Sequence, residues 1–494
     1  MKKLSPKKTI WICIFFLVNM MSLNAQVGIG TTSPHASSML DVSSTSKGML
    51  TPRMTTVQRN TITTPADGLI VYDTTLKSFY HYNTSTSSWI KINSDVSGRT
   101  NFKRIKSTDV LATVLASELA AGGNSKYLLN TNTLYEINGT INVDLPIDLN
   151  NAYVIGLDTG EDKLIKASGT LFSGSGGSIR NVTLQATSGA VFALTGTAAD
   201  SFIFRDAIVT TSQNVGTISG FGLVFSSVVQ YIGNATGVTY NNIAKLLLSN
   251  IGWFGNNTGT YEKLTGTFDL VQKQSGFTEV SGTAIGFDVS SNPIISGDAV
   301  MDAVVFTGTN STGYVNPYTG TGTFSGYNFT NKWTVSCPGI PFESDRFASG
   351  NTYLDRTITY PTISFPSTSI AYKIPGTTIS TNLFRMSDGG LSNRLVYNGK
   401  RKKTFIVSST ISMQASGSGT TDFLFYFVKF TAAGAYTFVV SSETFVDSNS
   451  SYVQSFPITG TVELAAGEYV ELYAQRINGS NKTLTINSFN MSLR

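Results

Sequence analysis

The sequence predicts an all-β chain: a right-handed parallel β-helix followed by a two-sheet sandwich, with a small module in front. Three observations predict it. The composition is rich in strand and turn formers, with 46 Gly, 30 Phe and 21 Tyr and only 13% charged residues among 494. Aromatic and Thr side chains suit pleated surfaces, and Gly and Asn suit tight turns. Short apolar segments recur about every 20 residues through the middle of the chain, within the range of solenoid repeats, while longer segments of strict alternation fill its C-terminal part.

Residues 1–25 read as a signal peptide, with Lys2, Lys3, Lys7 and Lys8 ahead of an apolar stretch at 10–18 and a cut after Ala25. No other segment approaches the ~20 apolar residues of a membrane-spanning helix. The expectation is an exported, soluble chain, secreted or displayed at a cell surface. Loss of the four lysines brings the formal charge of +5 close to neutrality, which removes the electrostatic argument for nucleic acid. Cys13 leaves with the leader, so Cys337 is the one remaining thiol; it is read as a buried, inert thiol, or else as a bond between chains.

The N-terminal module covers residues 26–94. Its strings run in order: VGIGTTSP (27–34), LDVSS (40–44), KGMLTPRMTTVQRN (47–60), PADGLIVYDT (65–74), SFYHYN (78–83) and WIKI (89–92). Thr55 with Gln58 forms a capping box for one short helix. Residues 69–72 and 78–82 read as strands around a turn, closed by Trp89. The unit has too few core residues to stand alone and is expected to be stabilised by neighbouring chains. This order of strings resembles the N-terminal module of large secreted bacterial surface proteins built like phage tail fibres, and the resemblance implies attachment. His35 and His81 lie here without Cys, His or acidic partners at metal-ligand spacing.

Residues 95–106 read as a linker, and 110–121 as a short helix stopped by Gly122 and Gly123. Residues 107–340 are assigned to the β-helix, with strand centres near Leu184, Val209, Val224, Leu247, Leu270, Asp288 and Val305. One coil cannot bury its inner face, whereas stacked coils can. The string at 126–151 resembles the entry into the pectate-lyase-like β-helices of tailspikes and surface proteins. That resemblance implies a possible polysaccharide lyase or glycoside hydrolase acting through carboxylates. Asp269 and Asp288, at similar places in the repeat, are the candidate catalytic pair if neighbouring coils set them on one wall. Against this, 207–261 carry one charged side chain, Lys245, and no His follows His81, so imidazole chemistry is excluded downstream. Tyr231, Trp253 and Tyr261, with Tyr240 and Phe254, fill the core or, if exposed, stack on sugar rings.

Beyond a connector at 341–360, alternating strands at 404–413, 422–430, 436–440, 468–476 and 482–493 predict a sandwich over 361–494. Residues 423–427 read as a strand covered on both faces. The strings at 394–412, 462–475 and 484–494 resemble the jelly-roll heads, similar to the C1q and TNF type, at the tips of trimeric fibres. This implies three copies packed through aromatic strands and a tip that binds receptors or glycans. Lys400, Arg401, Lys402 and Lys403 follow an Asn398–Gly399 turn signal, which places them at a hairpin, either solvated or facing an anionic glycan.

The combined expectation is a homotrimeric, fibre-like surface protein that binds a glycan or cell-surface receptor, with no cofactor and no metal. A tailspike-like polysaccharide depolymerase and a purely structural fibre are the rival readings.

Overall fold

The computed structural model describes residues 6, 7, 10, 11, 26–92, 101–448 and 452–494. The expected signal peptide therefore lies largely outside the described residues. The chain divides into two units, residues 1–98 and 99–494.

In the first unit, Val27–Ile29 pairs in parallel with Leu40–Val42, and Arg53–Met54, Ile70–Asp73, Ser78–Asn83 and Ser88–Lys91 form a four-stranded sheet. The helix Thr56–Asn60 carries the expected capping box between Thr55 and Gln58. Among its described residues Val71 is the one buried apolar side chain. Its other fully enclosed groups are polar: Arg59 and Asp73 form an ion pair at 3.2 Å, with the Arg59 guanidinium 3.9 Å above the Tyr80 ring. Large apolar side chains instead face outward, including Met39, Leu50 and Val57 at 76%, 80% and 73% exposure.

The second unit begins with the solenoid. Phe102–Lys106, assigned above to the linker, is its first strand and pairs with Leu134–Asn138. The expected helix is two short ones, Leu111–Val114 and Ala116–Ala121, broken at Leu115. Leu111 and Leu115 plug the open end of the core, and the buried Glu118 accepts hydrogen bonds from Lys103 Nζ and the Tyr135 hydroxyl, each at 2.8 Å.

All solenoid strands pair in parallel, in two stacks of fourteen and nine strands. In the nine-stranded stack Tyr127, Ile147, Phe172, Phe192, Gly216, Val238, Glu262, Phe287 and Val315 lie in one row, 20 to 28 residues apart. In the larger stack the long strands turn a corner. Asp206, Val228, Asn250, Ser275 and Ala303, with φ between 50° and 58°, sit at equivalent positions in Ser201–Thr210, Leu223–Ile232, Lys245–Trp253, Thr267–Glu279 and just after Ile294–Asp302. A left-handed residue bends the strand and shifts the inward phase by one, so that Phe202 and Phe204 point in before the corner, and Ala207 and Val209 after it. The solenoid thereby has three faces.

Its interior is apolar and aromatic apart from a buried Lys273–Glu262 ion pair at 2.6 Å. Trp253 lies between Tyr231 and Tyr261, with centroids at 3.9 and 5.1 Å and planes within 11°. Buried Asn257 and Asn234 cross-link successive turns: the Asn234 side-chain amide donates to Val209 O at 3.0 Å and that of Asn257 to Tyr231 O at 2.7 Å. These bonds reach strand carbonyls of the preceding turn, and Tyr231 O also accepts from Phe254 N at 3.2 Å. Cys337 is buried in the same core, where burial pushes its thiol up.

The sandwich starts earlier than its strand pattern indicates. Ser349–Leu354, placed above in the connector, pairs with Thr483–Leu493 and Thr378–Phe384. One antiparallel sheet runs Thr378–Phe384, Ser349–Leu354, Thr483–Leu493, Lys403–Ala415, Gln454–Leu464; the other runs Met386–Ser387, Leu395–Tyr397, Tyr469–Arg476, Thr421–Phe430, Tyr436–Phe438. Phe423, Phe425 and Phe427 join the core between them, and Tyr426 and Val428 are covered on the opposite face.

Val228 is β-branched and left-handed, a combination that costs about 1–2 kcal/mol, while its stacked neighbours Asp206 and Asn250 are residue types that tolerate the conformation. Val228→Asn is expected to raise stability by about 1 kcal/mol, read as an upward shift of the thermal unfolding midpoint; a downward shift would contradict the corner assignment.

Candidate functional site

The residues singled out in the sequence do not converge. Asp269 is exposed on Thr267–Glu279 of the larger stack and accepts from Ser296 Oγ at 2.6 Å. Asp288 is buried at the end of Ile285–Asp288 in the other stack, 3.4 Å from Lys263 Nζ. The two carboxylates belong to different faces because the corner turns the chain between them, so they do not share a wall. Tyr231, Trp253 and Tyr261 are at most 2% exposed; they are core residues, sealed from any external sugar.

The basic run is used inside the protein. Leu395–Tyr397 and Lys403–Ala415 belong to different sheets, so 398–402 crosses between sheets and is not a hairpin turn. Lys400 Nζ pairs with Asp298 on the solenoid and donates to Gly297 O at 3.2 Å. Lys402 pairs with Glu463 at 3.3 Å, and Lys403 Nζ donates to Arg346 O at 2.9 Å. The Arg401 side chain remains exposed.

These lysines belong to a polar junction between the last solenoid coil and the sandwich, centred on a residue that periodicity does not reveal. Arg385 is left-handed (φ 52°) and 2% exposed. Its guanidinium pairs with Asp345 and donates to the carbonyls of Trp333 and Glu343. Asp345 also accepts from the backbone N–H groups of Lys400 and Arg401, the latter at 2.8 Å. The Glu343 carboxyl, wholly buried, accepts from Asn328 N at 2.7 Å and Phe329 N at 3.0 Å. Burial pushes it up to about 7, against the pull of those two bonds and of Arg385.

Beside this junction opens a cleft of about 1240 Å³ lined by the loop 322–327 and by residues of the sandwich. Tyr327 stacks on the buried Phe384 ring at 3.9 Å, and Phe324 meets the same ring edge-on at 5.5 Å. The Arg385 guanidinium lies over the same ring, 5.4 Å from its centroid. Asn331, Thr381, Asn382 and Asn398 supply amides and a hydroxyl to the lining, in which no side chain is charged. The Asn331 amide is anchored on Asn398 O at 2.9 Å, whereas Asn382 is exposed in the left-handed conformation. A supported aromatic face beside neutral hydrogen-bonding groups suits an uncharged polyol ring. Among the described residues no group of three or more His, Cys, Asp or Glu is placed to hold a metal ion, and no helix is long and apolar enough to cross a membrane.

Residues 28–108 match the family described as the phage tail like trimerisation region. No curated protein matches the chain. Among 21 matching chains of solved structures is the enzymatically active domain of tailspike protein 4 from bacteriophage CBA120, 9% identical over 90% of this chain and 77% of that one, with a TM-score of 0.27. At that score the likeness carries no argument about function.

Removing the guanidinium strands Asp345 and opens the junction. Arg385→Ala is expected to cost about 3–5 kcal/mol locally, read as faster amide exchange across residues 333–345 while the coils around Trp253 keep their protection. Glu343 adds a pH dependence. Its folded value lies above that of an exposed glutamate, so its contribution is complete in acid, below about 4.5, and is lost as pH rises through about 7. The unfolding midpoint of the native chain is expected to fall relative to Glu343→Gln between pH 5 and 8; parallel pH profiles would contradict this.

Proposed function

We propose that this chain is an exported, homotrimeric, fibre-like protein that binds neutral glycan chains on a target surface through the cleft at the solenoid–sandwich junction. The observation that carries this reading is the cleft: a Tyr327 face held rigid by Phe384, neutral amides and hydroxyls around it, and no charge in the lining. Rigid placement lowers the entropy lost on binding. An anionic glycan is disfavoured because Lys400, Lys402 and Lys403 are engaged with Asp298, Glu463 and backbone carbonyls, which leaves the exposed Arg401 as the remaining cation of the run.

Trimer formation is supported by the match of residues 28–108 and by the apolar side chains that module leaves exposed. The sandwich also exposes an aromatic edge. Tyr436, Phe438 and Phe445 are 62%, 44% and 70% exposed beside Phe430, which stacks on Tyr469 at 4.8 Å. Covering that edge with other copies agrees with the packing implied for trimeric fibre heads. The depolymerase reading loses its proposed pair, since Asp269 and Asp288 lie on separate faces.

A neutral glycan array probed with residues 26–494 tests the proposal. Tyr327→Ala is expected to weaken retention at least roughly tenfold, the loss of one well-packed anchor. Arg401→Ala is expected to leave it unchanged. Retention confined to sialylated or sulfated glycans, and lost with Arg401, would refute the cleft assignment. Asp269→Asn with Asp288→Asn should alter neither binding nor the release of reducing ends.

A further inference from the structure

The outer surface of the solenoid is not uniform. In the larger stack, strand register places Phe102, Leu134, Tyr153, Ser178, Ile203, Phe225, Leu247, Gln272, Val300 and Thr334 in one outward row. Seven of these ten are apolar, and each is half-buried or exposed, although inward positions already fill the core. The equivalent row of the nine-stranded stack, by the same construction, is Leu128, Asp148, Ser173, Ala193, Thr217, Thr239, Lys263, Asp288 and Asn316. After Leu128 that row is polar or small. Two residues along from the apolar row runs a polar border that includes the Arg104–Glu136 ion pair, Arg180 and Arg205.

Ten strands at about 4.8 Å give this apolar row a length of roughly 43 Å along the solenoid axis. An outward row that is apolar except at Ser178, Gln272 and Thr334, with a polar rim, fits an association surface. Its occupant follows from where the stripe begins. Phe102, its first residue, lies inside the segment 28–108 that matches a trimerisation region, so the stripe continues in sequence from a self-associating region.

We propose that three solenoids of this chain pack side by side through this row, from Phe102 to Val300, making the shaft itself a trimer interface. The inference rests on the homotrimer reading and extends it to a specific face. Each copy covers the apolar row of its neighbours, and the polar row bearing Thr239 and Lys263 stays on the outside, in water. The cleft and the shaft contact are then separate surfaces, so self-association leaves glycan binding free.

Cysteine cross-linking in the full mature chain tests this, with Cys337 buried and out of reach. Leu247→Cys places a thiol in the apolar row, and Thr239→Cys places one in the polar row of the same coil. With a short bismaleimide, which joins two single-thiol chains, Leu247→Cys is expected to give covalent dimers on a denaturing gel, and Thr239→Cys none. Leu247→Asp is expected to weaken association of the trimer at least tenfold while far-ultraviolet dichroism stays unchanged. If the native chain is trimeric but Leu247→Cys links no better than Thr239→Cys, the face assignment is wrong and the trimer stands. If the native chain is monomeric, the trimer reading fails and this contact fails with it.

Discussion

Burial by stacking is the constraint on which the structure depends. A coil of 20 to 28 residues has one inner face and nothing of its own to set against it, so each turn is stable only between two others. The interior shows how that dependence is met. Trp253 is sandwiched between Tyr231 of the preceding turn and Tyr261 eight residues further along, and Asn234 and Asn257 spend their amides on carbonyls one coil away. The two ends, where stacking stops, need other solutions. The helices around Leu111 and Leu115 close one, and the other is tied to the sandwich through Arg385, Asp345 and the backbone of 400–401.

The same constraint reaches beyond one chain. The N-terminal module encloses Val71 and the Arg59–Asp73 pair and leaves most of its apolar surface open to water, a state that a unit of this size sustains only when other surfaces cover it. The apolar row of the solenoid poses the same problem on a longer scale, and the aromatic edge of the sandwich poses it a third time. In the proposed homotrimer, neighbouring copies cover all three. A fibre built this way leaves its polar rows and the junction cleft available, which is where a binding function has room.

Much of this architecture was legible in the sequence. The β composition, the repeat of about 20 residues and the later change to strict alternation gave the solenoid and the sandwich, and Thr55 with Gln58 gave the one helix of the first module. The rest was hidden for identifiable reasons. A left-handed residue at Asp206 or Val228 shifts the inward phase by one, so strand centres counted along the sequence mixed two faces: Leu184 stacks on Val209, whereas Val224 stacks on Phe202. That is why Asp269 and Asp288 looked equivalent. Lys400, Lys402 and Lys403 resembled a free basic turn because their partners, Asp298, Glu463 and the carbonyl of Arg346, come from distant segments. Arg385 carries no local signature, since its role arises from contacts 40 and 52 residues away. The cleft is assembled from separate segments, 322–331, 380–387 and single residues at 341, 349 and 398, with unremarkable Asn, Ser and Thr content, and no motif announces it.

The central claim is that three chains are required to cover what one chain exposes. Light scattering of residues 26–494 measures it most directly. The account predicts a single species of three chain masses that persists on dilution until the fold itself is lost; a well-folded species of one chain mass, with the apolar row and the N-terminal module open to water, would contradict it.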